Sequence, residues 1–439
     1  MAHRPKPSPL ASAEAARAKK PAFPAGISPG ESAAGSRRAR WLGLTLLGLL
    51  LLAYYPAMSG GFIWDDDAHL TANPCVVGPL GLKDIWTTAH MRICPLVQTT
   101  FWLEYRIWGL NPLPYHLVNI VLHALSALVL WRVLRLLRVP GAWLGAALWA
   151  LHPVQVESVA WITELKNTQS GLFFLLAVWC FGRSRQAETA PGPKGRFGIY
   201  YGLTLIFAVL AMASKSSTVV LPLVLGLVAW WLDRAWHWRR NLLQLTPLLL
   251  LSILTGLVTM WTQRTEGAFD PEFALGWGGR LAVAGRVVWF YAGKLFWPHP
   301  LIFVYPRWRI EAADFVTYLP TLALAGLLIA LWWQRDRWAR TLFFHARLLC
   351  CGPAAGARPD RHLLLAVFIR GRSLSISGQH GPARTARSRA AHRSGCPAKV
   401  PALAAAGSGR PAAVDAGFPD LAPVCAISER RGSLDRHAS

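Results

Sequence analysis

The chain has 439 residues, of which 53% are hydrophobic and only 15% charged, and it carries 22 Trp. Apolar runs of roughly spanning length recur from Trp41 to Trp333, a pattern that excludes an ordinary soluble enzyme. The net charge of +24 would suit a nucleic-acid partner, but no nucleic-acid motif is present, and much of the basic charge falls in short loops between apolar runs. The seven Cys show no metal-ligand spacing.

In chain order, residues 1–40 read as a Pro/Ala/Ser-rich disordered cytoplasmic arm. The run Trp41 to Met58 lacks a clean small-residue cleavage pattern and reads as a signal anchor. Arg37, Arg38 and Arg40 precede it, which predicts a cytoplasmic N-terminus. A long external loop, Ser59 to Pro114, contains two amphipathic segments, Leu82–Ala89 and Leu96–Trp108, expected to lie on the outer membrane face. Further spans are predicted at about Tyr115–Trp131, from Ala142 to His152, and at Ser170–Phe181, Gly198–Ala213, Thr218–Leu232, Leu242–Trp261 and Thr317–Trp333. Basic residues such as Arg132, Arg135, Arg183, Arg185, Arg234 and Arg239 then fall on one side. The stretch Leu281–Trp297 carries Arg286 and Lys294 and reads as an interfacial or re-entrant helix, with a true span as the alternative. The fold class is therefore all-α: a polytopic transmembrane bundle of about eight spans with external amphipathic helices.

The external loop holds three adjacent carboxylates, Asp65, Asp66 and Asp67. Close carboxylates raise one another's pKa, so such a cluster can supply a general base or hold a divalent cation. The plain alternative is a solvated turn that caps a helix. Other predicted outer segments add His152, Glu157, Glu164 and Lys166, then Lys215, then Arg264, Glu266 and Asp270. These ionisable groups could converge on one cavity, where cations would suit a phosphate leaving group. His116, Asn119 and His123 share a face of the second span, a pattern that fits interhelical hydrogen bonding better than catalysis.

At these residues the chain resembles membrane glycosyltransferases of the GT-C fold, and within them the TMTC-like family, whose members carry tetratricopeptide repeats. The matching stretches are Phe62–Pro74 (FIWDDDAHLTANP), Pro95–His123, Leu151–Phe173, Met212–Pro222 (MASKSSTVVLP) and Lys294–Tyr305 (KLFWPHPLIFVY). The resemblance implies an acidic pair in the first external loop, best matched by Asp65 and Asp66. It also implies a sugar donor on a polyprenyl phosphate, with mannose among the candidates, and a protein or glycan hydroxyl as acceptor. Lys215, Arg264 and Lys166 are the candidates to meet the phosphate, on charge grounds rather than by motif. A bacterial inner membrane is the expected location. A non-catalytic membrane scaffold or a transporter is the alternative. A transporter would place charges at midspan, and no predicted span has a central carboxylate.

Beyond Trp338 tryptophan disappears, and Arg, Ala, Gly, Ser and Pro dominate without period. Residues 41–342 are read as the GT-C-like domain and 343–439 as a disordered basic tail translated out of frame. Permissible codons for Phe368–Gly381, read one base later, give Ser-Tyr-Val-Ala-Asp-His-Phe-Gln-Tyr-Leu-Ala-Ser-Met-Gly, which resembles a motif of bacterial members of that family. Only Cys75, Cys94 and Cys180 would then be authentic, and Cys75 and Cys94 could pair in an oxidising compartment.

Overall fold

The computed structural model describes residues 33–87, 94–189, 195–233, 237–265, 276–302, 305, 308, 311, 314–334, 344 and 346–347. Helix is the only regular structure among the described residues, as a bilayer requires of a chain that must satisfy its own backbone. Helix α1 (Ala33–Tyr54) begins inside the arm expected to reach residue 40, because the Ala- and Arg-rich residues before Trp41 favour helix and no proline interrupts them. A 3₁₀ turn, Tyr55–Ser59, follows it. The acidic loop then leads to two short helices, α2 (Leu82–Thr87) and α3 (Pro95–Trp108). Gly109 ends α3 at φ +59, a left-handed conformation in which glycine carries no steric penalty.

Helix α4 (Pro112–Leu136) is the central element, capped by the Asn111 side chain. After a tight turn, α5 (Ala142–Ala150) covers only nine residues. Pro153 stops it, since proline pushes the preceding His152 to an extended conformation (φ −66, ψ 133). The segment expected to be the third crossing therefore breaks part-way. It continues through short turns and α6 (Val156–Ala160) to α7 (Leu165–Thr189). Next come α8 (Gly195–Ser214), a 3₁₀ turn at Ser216–Val220, α9 (Leu221–Leu232) and α10 (Trp238–Thr265). Helices α11 (Trp277–Phe296) and α12 (Leu319–Trp333) complete the described chain.

Five of the described helical segments are long and apolar enough to cross a membrane: Arg37–Ser59, Pro112–Leu136, Gly195–Ser214, Trp238–Thr262 and Phe315–Trp333. Helix α7 is as long as α4 but more polar, which it tolerates because α4, α8 and α9 surround it. Leu136, Phe181, Ala208, Leu225 and Leu248 belong to the apolar core these helices share. A second core joins α1, α4 and α5 through Leu46, Leu50, Ile120 and Ala147, and a third packs the acidic loop and α3 onto Tyr115 and Ile162. Large apolar side chains such as Leu52, Leu148, Leu243 and Ile253 point outward, as lipid-facing residues do.

One end of α7 is closed by a buried polar network. Arg185, 3% exposed, pairs with Asp233 and donates to Asn241 (2.8 Å) and Gln244, while Arg240 pairs with Asp233 at 2.9 Å. Arg185 lies twenty residues along α7 from Leu165, about 30 Å at helical rise. That distance is close to the thickness of a hydrocarbon core, and α7 carries buried polar groups toward both of its ends. Helix α12 meets α11 through its first residues: Thr321 Oγ donates to Leu281 O (2.9 Å) and Trp289 Nε1 to Pro320 O (2.9 Å). Gly285 permits this crossing, since a Cβ there would stand 2.6 Å from the Thr321 backbone nitrogen. The tail expected to be out of frame lies outside the described residues, apart from Phe344, Ala346 and Arg347; Phe344 packs on Trp231 with ring centroids 4.7 Å apart.

Candidate active site

The break after α5 leaves backbone carbonyls without helical partners inside the bundle, and α4 supplies the donors. His123 Nε2 donates to Ala150 O at 2.9 Å, and Tyr54 Oη donates to the same oxygen at 3.2 Å. Asn119 Nδ2 donates to Trp161 O (3.0 Å) and Ile162 O (3.2 Å), and Thr168 Oγ donates back to Asn119 Oδ1 (2.7 Å). His116 Nε2 donates to Gly60 O at 3.2 Å. The polar stripe on α4 thus does interhelical bonding, which buried backbone oxygens require. These contacts also set depth. Asn119 and His123 lie seven and eleven residues inside α4, about 10 and 16 Å from its Pro112 end. The segment from Leu151 to Glu164 is therefore recessed below that end.

The three aspartates part company in this recess. Asp66 is fully buried. Its Oδ2 accepts from Ile63 N (2.7 Å), and its Oδ1 accepts from Thr163 N (2.9 Å) and from the Thr163 hydroxyl. Burial pushes the Asp66 carboxyl above the usual carboxylate range, and these hydrogen bonds, with one from the Trp161 side chain, pull it back. Asp66 is thus a staple between the acidic loop and the recessed segment. Asp67 is exposed and accepts from Thr71 Oγ at 2.7 Å. Asp65 is half-exposed, and its charge acts on Lys166. The three carboxylates do not form a shared ligand set, and no group of three His, Cys, Asp or Glu side chains suited to a metal ion occurs among the described residues.

Below Asp65 the charges converge. Lys166 Nζ pairs with Glu164 Oε1 at 3.1 Å, and Glu164 is 1% exposed. Asn167 Nδ2 bonds the other Glu164 oxygen and donates to Ser158 Oγ at 3.1 Å, while its Oδ1 accepts from Lys215 Nζ. Lys215 is 7% exposed; burial lowers its amine below the ordinary lysine range, and the carboxylates of Glu164 and Glu157 oppose that shift. Of the sequence candidates, Asp65, Asp66, Glu157, Glu164, Lys166 and Lys215 therefore gather in one region. His152 does not join them: its Nδ1 accepts from Val154 N (3.2 Å) and its Nε2 donates to Leu295 O (3.1 Å). The Arg264 side chain, Glu266 and Asp270 lie outside the described residues. Cys75 and Cys94 are both free thiols.

Two groups escaped the sequence reading. Asn167 bridges Glu164 and Lys215, yet a lone Asn in a helix carries no signal. Glu104 is 4% exposed, and among the described residues neither carboxyl oxygen has a hydrogen-bond partner. It falls at i, i+4, i+7 with Val97 and Phe101, both buried, so the apolar stripe of α3 pointed to it. Burial alone pushes its carboxyl up to about 8.

Fold and site together define a multi-pass helical membrane protein with a recessed acid–lysine cluster at one face. The chain is TMTC-like. It is 30% identical over 159 residues to protein O-mannosyl-transferase F38B6.6 of Caenorhabditis elegans, covering 33% of this chain and 23% of the relative. Against human protein O-mannosyl-transferase TMTC2 the identity is 32% over 148 residues, 31% of this chain and 18% of the relative. Against Drosophila melanogaster Tmtc1 it is 29% over 192 residues, 41% of this chain and 21% of the relative. The matched stretch thus spans about a fifth of these relatives' length. No family profile and no solved structure matches.

Proposed function

We propose that this chain carries the catalytic core of a membrane glycosyltransferase that moves a sugar from a polyprenyl-phosphate donor to a hydroxyl acceptor; the names of its relatives, protein O-mannosyl-transferases, support the sugar transfer. The observation that supports it most is the half-exposed Asp65 beside the buried Glu164–Lys166–Asn167–Lys215 cluster. Asp65 is the base. The acceptor oxygen attacks the anomeric carbon, its proton passes to the Asp65 carboxylate, and the bond from that carbon to the phosphate oxygen breaks. The polyprenyl phosphate leaves as an anion, met by Lys166 and Lys215. Attack opposite the leaving group inverts the anomeric centre. Asp66 is a positioning residue that fixes Asp65 relative to the recess. The recess faces the non-cytoplasmic side, with the N-terminus in the cytoplasm of a bacterial inner membrane, and the acceptor is a protein or glycan.

Chain reconstituted with mannosyl polyprenyl phosphate and membrane extract as acceptor source tests this reading. Asp65→Asn should lower transfer by about 100- to 10,000-fold without changing the melting temperature. Transfer unchanged in Asp65→Asn would return Asp65 to the role of a solvated turn residue.

A further inference from the structure

Trp64 immediately precedes the proposed base and has a conformation that nothing in the helical scaffold requires. Its φ is +44, a left-handed backbone that a bulky residue rarely adopts. Its neighbours hold that turn: Ile63 N donates to the Asp66 carboxylate, and Asp67 N donates to Trp64 O at 3.2 Å. The result is a large indole that is 54% exposed on one side and stacked on the other. The stacking partner is Trp161, with centroids 6.3 Å apart and rings inclined by 29°. Trp161 is itself 5% exposed, and the Lys166 ammonium stands 5.8 Å from its ring centroid. An indole presented for membrane anchoring needs no left-handed backbone and no buried second ring beneath it. Here the pair links the base, through Trp64, to the cation, through Trp161.

We propose that the exposed face of Trp64, backed by Trp161, is the platform on which the pyranose ring of the lipid-linked donor stacks. The occupant follows from the neighbours. A sugar joined directly to a phosphate must lie in the same region as the cation that meets the phosphate. It must also present its anomeric carbon to a hydroxyl held by Asp65. Trp64 stacks on Trp161, the ring that Lys166 stands against, and directly precedes Asp65, so each of these groups connects to the platform through a single neighbour. Pyranose C–H groups are weakly positive and pack on an aromatic face, which carries the negative lobe of its quadrupole. This inference rests on the glycosyltransferase reading given above.

The test measures donor binding rather than turnover. Full-length protein in nanodiscs is titrated with mannosyl polyprenyl phosphate and, separately, with the same polyprenyl phosphate lacking the sugar. Trp64→Gly removes the ring while accepting positive φ without strain, so the turn and the fold survive. Trp64→Phe keeps an aromatic face. Trp64→Gly should bind the sugar-bearing lipid about 3- to 10-fold more weakly, bind the sugar-free lipid as the wild type does, and Trp64→Phe should recover most of the loss. Equal weakening for both lipids would make Trp64 a lipid anchor and overturn the platform while leaving the donor reading intact. Unchanged binding of both would overturn the platform alone. A wild type that binds neither lipid would overturn the donor reading and the platform with it.

Discussion

Replacing Glu104 isolates one buried carboxyl. The group sits in α3 beside Tyr115, 4% exposed and without a hydrogen-bond partner among the described residues, with its carboxyl pushed up to about 8 from an ordinary 4.5. Below pH 4.5 the group is neutral in both folded and unfolded chains and adds no pH-dependent cost. Between 4.5 and 8 the unfolded chain ionises while the folded one holds its proton, so stability falls as pH rises and levels off above 8. At pH 7 the displacement is about 2.5 pKa units, or roughly 3 kcal/mol at 1.36 kcal/mol per unit. Thermal unfolding in detergent between pH 5 and 9 should show the wild-type melting temperature declining through this window. Glu104→Gln should flatten the profile. Glu104→Met should flatten it and raise the midpoint at pH 8, because it also removes the unpaired polar atoms. A profile in Glu104→Met identical in slope to that of the wild type would refute the reasoning.

Three further outcomes follow from described contacts. Asp66→Ala orphans the Ile63 and Thr163 amides and the Thr163 hydroxyl and should lower both melting temperature and transfer, at about 1–3 kcal/mol per buried donor, as read by thermal unfolding and the transfer assay. Asp233→Ala takes from the buried Arg185 its nearest carboxylate, leaving Glu188 at 3.6 Å, and should destabilise the chain by up to about 3–5 kcal/mol in denaturant titration, while conservative Asp233→Glu costs less. Because burial lowers the Lys215 amine, the alkaline limb of the pH–activity profile should fall earlier than for an ordinary lysine, and Lys215→Arg should move it to higher pH.

Much of this was legible in the sequence, for reasons that differ by residue. The spans announce themselves through apolar length, and the His116–Asn119–His123 stripe through helical spacing, because both are local properties. The break of α5 was half visible: Pro153 gives a stop, but only the long-range bonds to Ala150, Trp161 and Ile162 show that the backbone can end there inside the bundle. The division of labour among Asp65, Asp66 and Asp67 was not visible at all. It depends on Thr163, 97 positions away from Asp66, and adjacency in sequence makes the three carboxylates look equivalent. Glu104 went unremarked, since the amphipathic segment was read as a whole and its place in the Val97–Phe101 stripe was not singled out.

The brevity of α5 ties the protein to the thickness of its bilayer. Nine residues reach about 13 Å, under half of a hydrocarbon core of about 30 Å, yet Leu144 and Leu148 face outward along its whole length. Lipid beside so short an apolar face would have to shorten or tilt to match it. On the donor reading proposed above, longer acyl chains should hold a membrane-borne phosphate farther from Lys166. On that reading acyl-chain length is written into the reach of the site, through a helix that stops early.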